Sequence, residues 1–274
     1  MISLTGLNTR MGLQLVDATR DRQIEMIRDG AQDKRAIAAF EERIGEVQSV
    51  EQLIEDRELY VFVMKAFDLE DQIFGKAMVR KILESDSSKP DALVNRLTDP
   101  RFREMHKVMG FSKEGDANEN TGDAAWRAQM VERYVGQRFE SAQAEQNEKV
   151  GTVLEFRRKA GEVRSWFDIL KDKDLSEFMR TALGVPASAA GLDIDKQVEL
   201  FKQKFDLEKL KDPAEREKLE RTYVAISDAK AGVQSSANAA LSLMNAAVNA
   251  GAGGRFAPIT LDISAITALP RRTY

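Results

Sequence analysis

Apolar residues along this chain recur at intervals of three and four rather than two, which predicts helix almost throughout. Leu4, Leu7, Met11 and Leu15 open the pattern in an N-terminal helix over residues 1–30 of a segment 1–36. Ser49-Val50-Glu51-Gln52 is a capping box: the Ser hydroxyl takes one orphan N–H and the Gln side chain reaches back. Behind it Leu53, Leu59, Phe62, Val63, Ala66 and Phe67 form one apolar stripe, so a single helix is expected there. Ile73, Phe74, Ala77, Met78, Ile82 and Leu83 predict the next helix. Ser88-Lys89-Pro90 marks a turn into a short helix ending near Leu97. Asp99-Pro100 supplies an N-cap and a first-turn proline, and Gly110 a stop.

The same grammar returns at an offset of 116 residues, from Ser49 to Ser165. Asp56 then meets Asp172, Leu59 meets Leu175, Phe62 meets Phe178 and Ala66 meets Ala182. Those are five identities over 21 aligned positions, and Asp99-Pro100 is echoed by Asp212-Pro213. The expected architecture is therefore all-α, a multi-helix bundle with an internal duplication of one helical unit. The copies span residues 37–112 and 153–226. Two copies are too few for a solenoid, which needs at least three stacked repeats.

The remaining segments differ in character. Residues 113–152 hold a polar loop, then a long connecting helix through Trp126, Met130, Tyr134 and Phe139. A C-terminal helix, 227–250, continues a seam of alternating four and three through Leu219, Tyr223, Ile226, Lys230, Val233, Ala237, Ala240, Met244 and Ala247. Its small residues favour close helix packing over a free-standing coiled coil. Residues 251–274 form an extended tail that opens on a glycine-rich linker. Within it Pro258–Ser264 alternates with period two, like a strand. Three placements are open for it: along a groove of its own domain, added as a strand to a partner, or disordered. In the second case Ile259, Leu261, Ile263 and Ile266 are the candidate partner-binding residues.

Composition removes much chemistry. The 274 residues include no Cys and one His, so thiolate zinc sites, cysteine nucleophiles and two-His metal sites are excluded. A formal charge of −4 argues against a nucleic-acid binder. No basic segment followed by an apolar run opens the chain, so no Sec signal peptide is expected. No apolar stretch is long enough for a transmembrane span. The absence of Cys fits a cytoplasmic location and equally export by a route without a cleaved signal.

Four motifs invite chemistry, and the residues argue against each. His106 has no Gly-x-Ser-x-Gly elbow to serve and reads as a packing or surface residue. Asp116-x-Asn118-x-Asn120 resembles a calcium loop, but Thr121 and Arg127 occupy the positions that need Gly and Glu. Gly251-Ala252-Gly253-Gly254 lacks the Lys-Ser or Lys-Thr of a phosphate loop. Carboxylate pairs such as Glu41-Glu42 fit solvated helix faces. No catalytic residue, cofactor or metal site is expected.

Val79–Asp86, Leu97–Phe102 and Gly110-Phe111, with Ser49–Asp56 and Lys65–Leu69 upstream, resemble a known family across most of residues 40–230. It is domain of unknown function 1217, an uncharacterised, largely alphaproteobacterial group, some of whose members are labelled flagellar. The resemblance implies no catalytic residues. It implies a non-catalytic protein of flagellar assembly or structure, with flagellar or secretion proteins as partners. A cytoplasmic adaptor or export chaperone, binding a client helix in a groove between the copies, is the alternative, and an enzyme of unknown type the remote one.

Overall fold

The computed structural model describes the backbone of residues 2–251 and the side chains of residues 2–232. By backbone contacts the chain divides into two units, Met1–Asp228 and Ala229–Tyr274. The first opens with α1 (Thr9–Asp29) and α2 (Ala31–Arg43), then a 3₁₀ turn, Ile44–Glu46. Next come α3 (Val50–Glu55), α4 (Arg57–Ala66), α5 (Lys76–Leu83), α6 (Leu93–Arg96) and α7 (Pro100–Met109). The connecting helix is α8 (Ala124–Gln146), followed by α9 (Glu148–Lys159) and a second 3₁₀ turn, Ala160–Glu162. α10 (Trp166–Lys171), α11 (Lys173–Ala182) and α12 (Ile194–Lys204) lead to α13 (Pro213–Gly251). The residues of α13 up to Asp228 belong to the first unit and the rest to the second. α8 is the hub, packing on α1, α4 and α9, while α2 packs on α4 and α9 on α11.

Local chemistry sets the helix ends. Ser49 and Ser165 both complete capping boxes, with Gln52 and Asp168 as the reciprocal residues. Asp99 caps α7 with Pro100 in its first turn, and Gly110 closes it in the left-handed region at φ 67°. Three expectations need correction. The N-terminal helix begins at Thr9, where the Asn8 side chain caps it by accepting from the Met11 amide, so Leu4 and Leu7 precede it. The helix after Ser49 is not continuous: Asp56 leaves helical geometry at ψ 99° and its carboxylate accepts from the Glu58 and Leu59 amides at 3.0 and 3.1 Å. A new helix therefore starts at Arg57, because an aspartate that can cap competes with helix propagation. Ile73 and Phe74 precede α5 rather than lie in it, and Phe74 is 98% exposed.

The two segments at offset 116 match element by element. α2, 3₁₀ turn, α3 and α4 correspond to α9, 3₁₀ turn, α10 and α11, with equal lengths for the last two pairs. Asp172 caps α11 as Asp56 caps α4. Each caps its helix and also holds a cation: Arg43 meets Asp56 at 2.6 Å, and Lys159 meets Asp172 at 2.5 Å. Both segments end on a left-handed residue, Asp68 at φ 58° and Gly184 at φ 61°. α5, α6 and α7 are matched in order by α12, a 3₁₀ turn Leu207–Lys211, and the Asp212-capped start of α13.

Each segment is centred on a three-ring stack. Phe62 lies between Phe40 and Tyr134 at centroid distances of 4.1 and 4.3 Å. Phe178 lies between Phe156 and Tyr223 at 3.8 and 4.6 Å. Every ring in both stacks is buried. Such pairs contribute about 0.5–1.5 kcal/mol beyond the area they bury.

Candidate functional site

A cleft of about 660 Å³ lies along α8 and α9 and is walled by charge. Four of its five cations are held by the protein's own carboxylates, and the fifth, Arg20, lies over the Phe139 ring at 5.8 Å. Arg133 meets Glu104 at 2.6 Å and Arg158 meets Glu140 at 2.8 Å. Arg157 reaches Asp17 of α1 and Glu220 of α13, each at 2.6 Å. Burial pushes the Glu140 carboxyl above the usual carboxylate range, against the opposing pull of Arg158. For Arg158, burial disfavours the charge, but Glu140, Glu155 and Glu104 together outweigh it and the net shift is upward. This arrangement neutralises charge and joins helices.

Glu155, Asp172 and Asp174 bring three carboxylates within 4.8 Å of one another. Lys159 sits among them, bonded to Glu155 and to Asp172. The other oxygen of Asp172 accepts from the Asp174 and Leu175 amides. Both oxygens of that carboxylate are thus engaged in a cap and an ion pair, the counterpart of Asp56 with Arg43.

The motifs singled out in the sequence have structural partners. His106 Nε2 is 2.8 Å from the Ser85 carbonyl, tying α7 to the end of α5. Asn118 donates to the Met109 carbonyl at 2.9 Å and Asn120 donates to those of Val108 and Met109, so both close the end of α7. Asp116 accepts from the Ser112 hydroxyl at 2.6 Å. The calcium-like spacing is therefore a turn that satisfies carbonyls. The tail, with its strand-like run and Ile259, Leu261, Ile263 and Ile266, lies outside the described residues.

Two grooves were not anticipated. One, about 590 Å³, runs between α1 and α13, with Leu13, Gln14, Val224 and Asp228 in its walls. Asp228 also accepts from the Thr9 and Arg10 amides at 2.8 and 3.2 Å, so a residue of α13 caps α1. The second groove, about 500 Å³, is more apolar in its residues and is built from Trp166, Phe167, Val198, Phe205 and Leu207, with Lys202 and Asp206 at its rim. Trp166 stacks on Phe201 at 5.1 Å, while Phe167 stays 46% exposed.

Fold and surfaces together define an all-α protein whose charged cleft is mostly paired internally and whose grooves lie between helices. The family of proteins of unknown function DUF1217 matches residues 66–215, more than half of the chain, and the chain belongs to that family. The chain is also similar to a protein from Agrobacterium tumefaciens whose crystal structure is solved. The two share 27% sequence identity with a TM-score of 0.71, over 82% of this chain and 95% of the other. No curated protein matches it.

Proposed function

We propose that this chain is a non-catalytic helical protein of flagellar assembly or structure that acts through protein–protein contacts. The observation that carries the reading is the run from Ala231 to Ala250, which contains no Asp, Glu, Lys or Arg in a chain that is 31% charged. It lies in α13, whose earlier turns are joined to α1 through Asp228 and through Arg157. A helix so poor in charge gains by being covered, and its Ala, Ser and Asn residues suit close approach of another helix. The family resemblance supplies the flagellar setting.

The adaptor or export-chaperone reading stays as the second one. The apolar groove between α10 and α12 favours it, although that groove lies within the second repeat rather than between the copies. The test is an in-frame deletion in the source bacterium, complemented, and scored for swimming and for filaments by electron microscopy. Loss of filaments or hooks is the expected result, and fractionation then separates a structural part from a chaperone. Normal filaments and swimming overturn the flagellar reading.

A further inference from the structure

The two repeats differ at one seam, between the start of the first short helix and the end of the helix packed on it. In the first repeat these are α3 and α5, and the chain's own turn 112–117 covers the seam. The Val50 N–H donates to the Gly115 carbonyl at 2.8 Å. Gly115 has φ 71° and sits so close that a Cβ there would fall 2.6 Å from Glu84 Cγ and 3.1 Å from Val50 Cγ2. Only glycine fits that approach. Beneath it Val50 is fully buried.

In the second repeat the seam lies between α10 and the end of α12. Trp166 stands at the position of Val50, yet among the described residues no backbone hydrogen bond joins its amide to a covering turn. Beside Trp166 lies instead the apolar groove of about 500 Å³, lined by Phe167 and by Val198 and Lys202 of α12. A second difference points the same way. Glu51 is solvated and meets Arg80 at 2.9 Å, whereas its counterpart is Phe167, an aromatic ring with 46% exposure. A lone exposed aromatic is ordinary. Here it flanks an open groove at a position where the other repeat keeps a carboxylate and covers the seam.

We infer that the α10–α12 seam is a docking groove for a glycine-containing turn of a protein partner. The first repeat specifies the chemistry of the occupant. A glycine reaches the seam where a Cβ would collide, and its carbonyl accepts from the Trp166 N–H. A neighbouring apolar side chain packs against Phe167 and Phe205. The inference rests on the protein-contact reading above and names one surface for it.

The test uses the full chain, labelled with ¹⁵N, and a synthetic peptide of its own residues 109–118 as the probe. The expected result is saturable shifts of the Trp166 and Phe167 amides with the Val50 amide unmoved. Phe167→Glu, which installs the residue type of the first repeat, is expected to weaken binding at least about tenfold. So is a peptide carrying Val in place of Gly115. Phe167→Ser serves as a second variant, and circular dichroism checks that both fold. No shift at Trp166 with millimolar peptide overturns the proposal, as do shifts that survive Phe167→Glu. Two further outcomes overturn it by naming another occupant. In one the free protein's Trp166 amide moves on dilution, which assigns the seam to a second copy. In the other it moves on removal of residues 252–274, which assigns it to the chain's own tail. A normal deletion phenotype with intact peptide binding rejects the flagellar setting and leaves this surface standing, so the two failures are distinguishable.

Discussion

Replacing Phe62 or Phe178 with Ala removes the middle ring of a buried three-ring stack, and either change is expected to cost about 3–5 kcal/mol. Urea unfolding of the two variants measures it. Similar losses are expected because both rings are buried between two others at nearly the same distances. A second residue-scale effect depends on pH. Lys149 donates to Glu177 at 2.7 Å, joining α9 to α11, and this bond holds the Glu177 carboxyl below its ordinary value of 4.5. A depressed carboxylate contributes stability that is present above its unfolded value and is lost as pH falls through its folded one. The stability gap between the wild type and Lys149→Met is therefore expected to narrow as pH falls below 4.5, as read by denaturation at a series of pH values. The residue types behind both effects were visible in the sequence, since Phe62 and Phe178 align at offset 116. The third rings were not, because Tyr134 and Tyr223 come from α8 and α13, which only the folded chain brings beside them.

Helix boundaries were most legible where a side chain bonds to nearby backbone. The capping box at Ser49, the cap and proline at Asp99-Pro100 and the stop at Gly110 all stand where local chemistry places them. The break at Asp56 was hidden, since the apolar stripe runs on through it and periodicity alone cannot report a cap inside a stripe. Phe74 misled for the opposite reason: it fits the helical spacing, yet it precedes α5 and faces solvent. The open seam also left a trace in the sequence, the pairing of Glu51 with Phe167 at offset 116, but its meaning depends on the turn that covers only one of the two. At this scale Ser165→Ala is expected to cost about 0.5–2 kcal/mol, the usual value of a lost N-cap, and Ser49→Ala a similar amount. Thermal unfolding of each single variant and of the pair checks this. The pair is expected to be additive, because the two caps share no partner.

At the scale of the whole molecule, the fold class was legible because helical periodicity persists through nearly the entire chain. The placement of charge was not. Arg157, Arg158 and Lys159 are three consecutive cations in the sequence, and the structure turns each toward a different carboxylate of the same chain. The ends of the first unit are likewise joined by polar contacts that no local pattern announces. Asp228→Ala is expected to destabilise the protein by about 0.5–2 kcal/mol through the lost cap on α1. Faster hydrogen exchange at the Thr9 and Arg10 amides, with α7 unaffected, is the readout that ties the loss to that helix.

The same cap has a consequence for the order of events during synthesis. The Thr9 amide and its acceptor at Asp228 are 219 residues apart, so the helix made first waits for one of the last parts of the unit to be made. Closing so long a loop is entropically slow. While the ribosome is still upstream of residue 228, the first turn of α1 has the Asn8 side chain and water to meet its free N–H groups. A nascent chain of this protein thus has α1 able to pack on α2, α8 and α9 while its first turn still lacks the Asp228 cap, and any factor that recognises that turn has this interval in which to act.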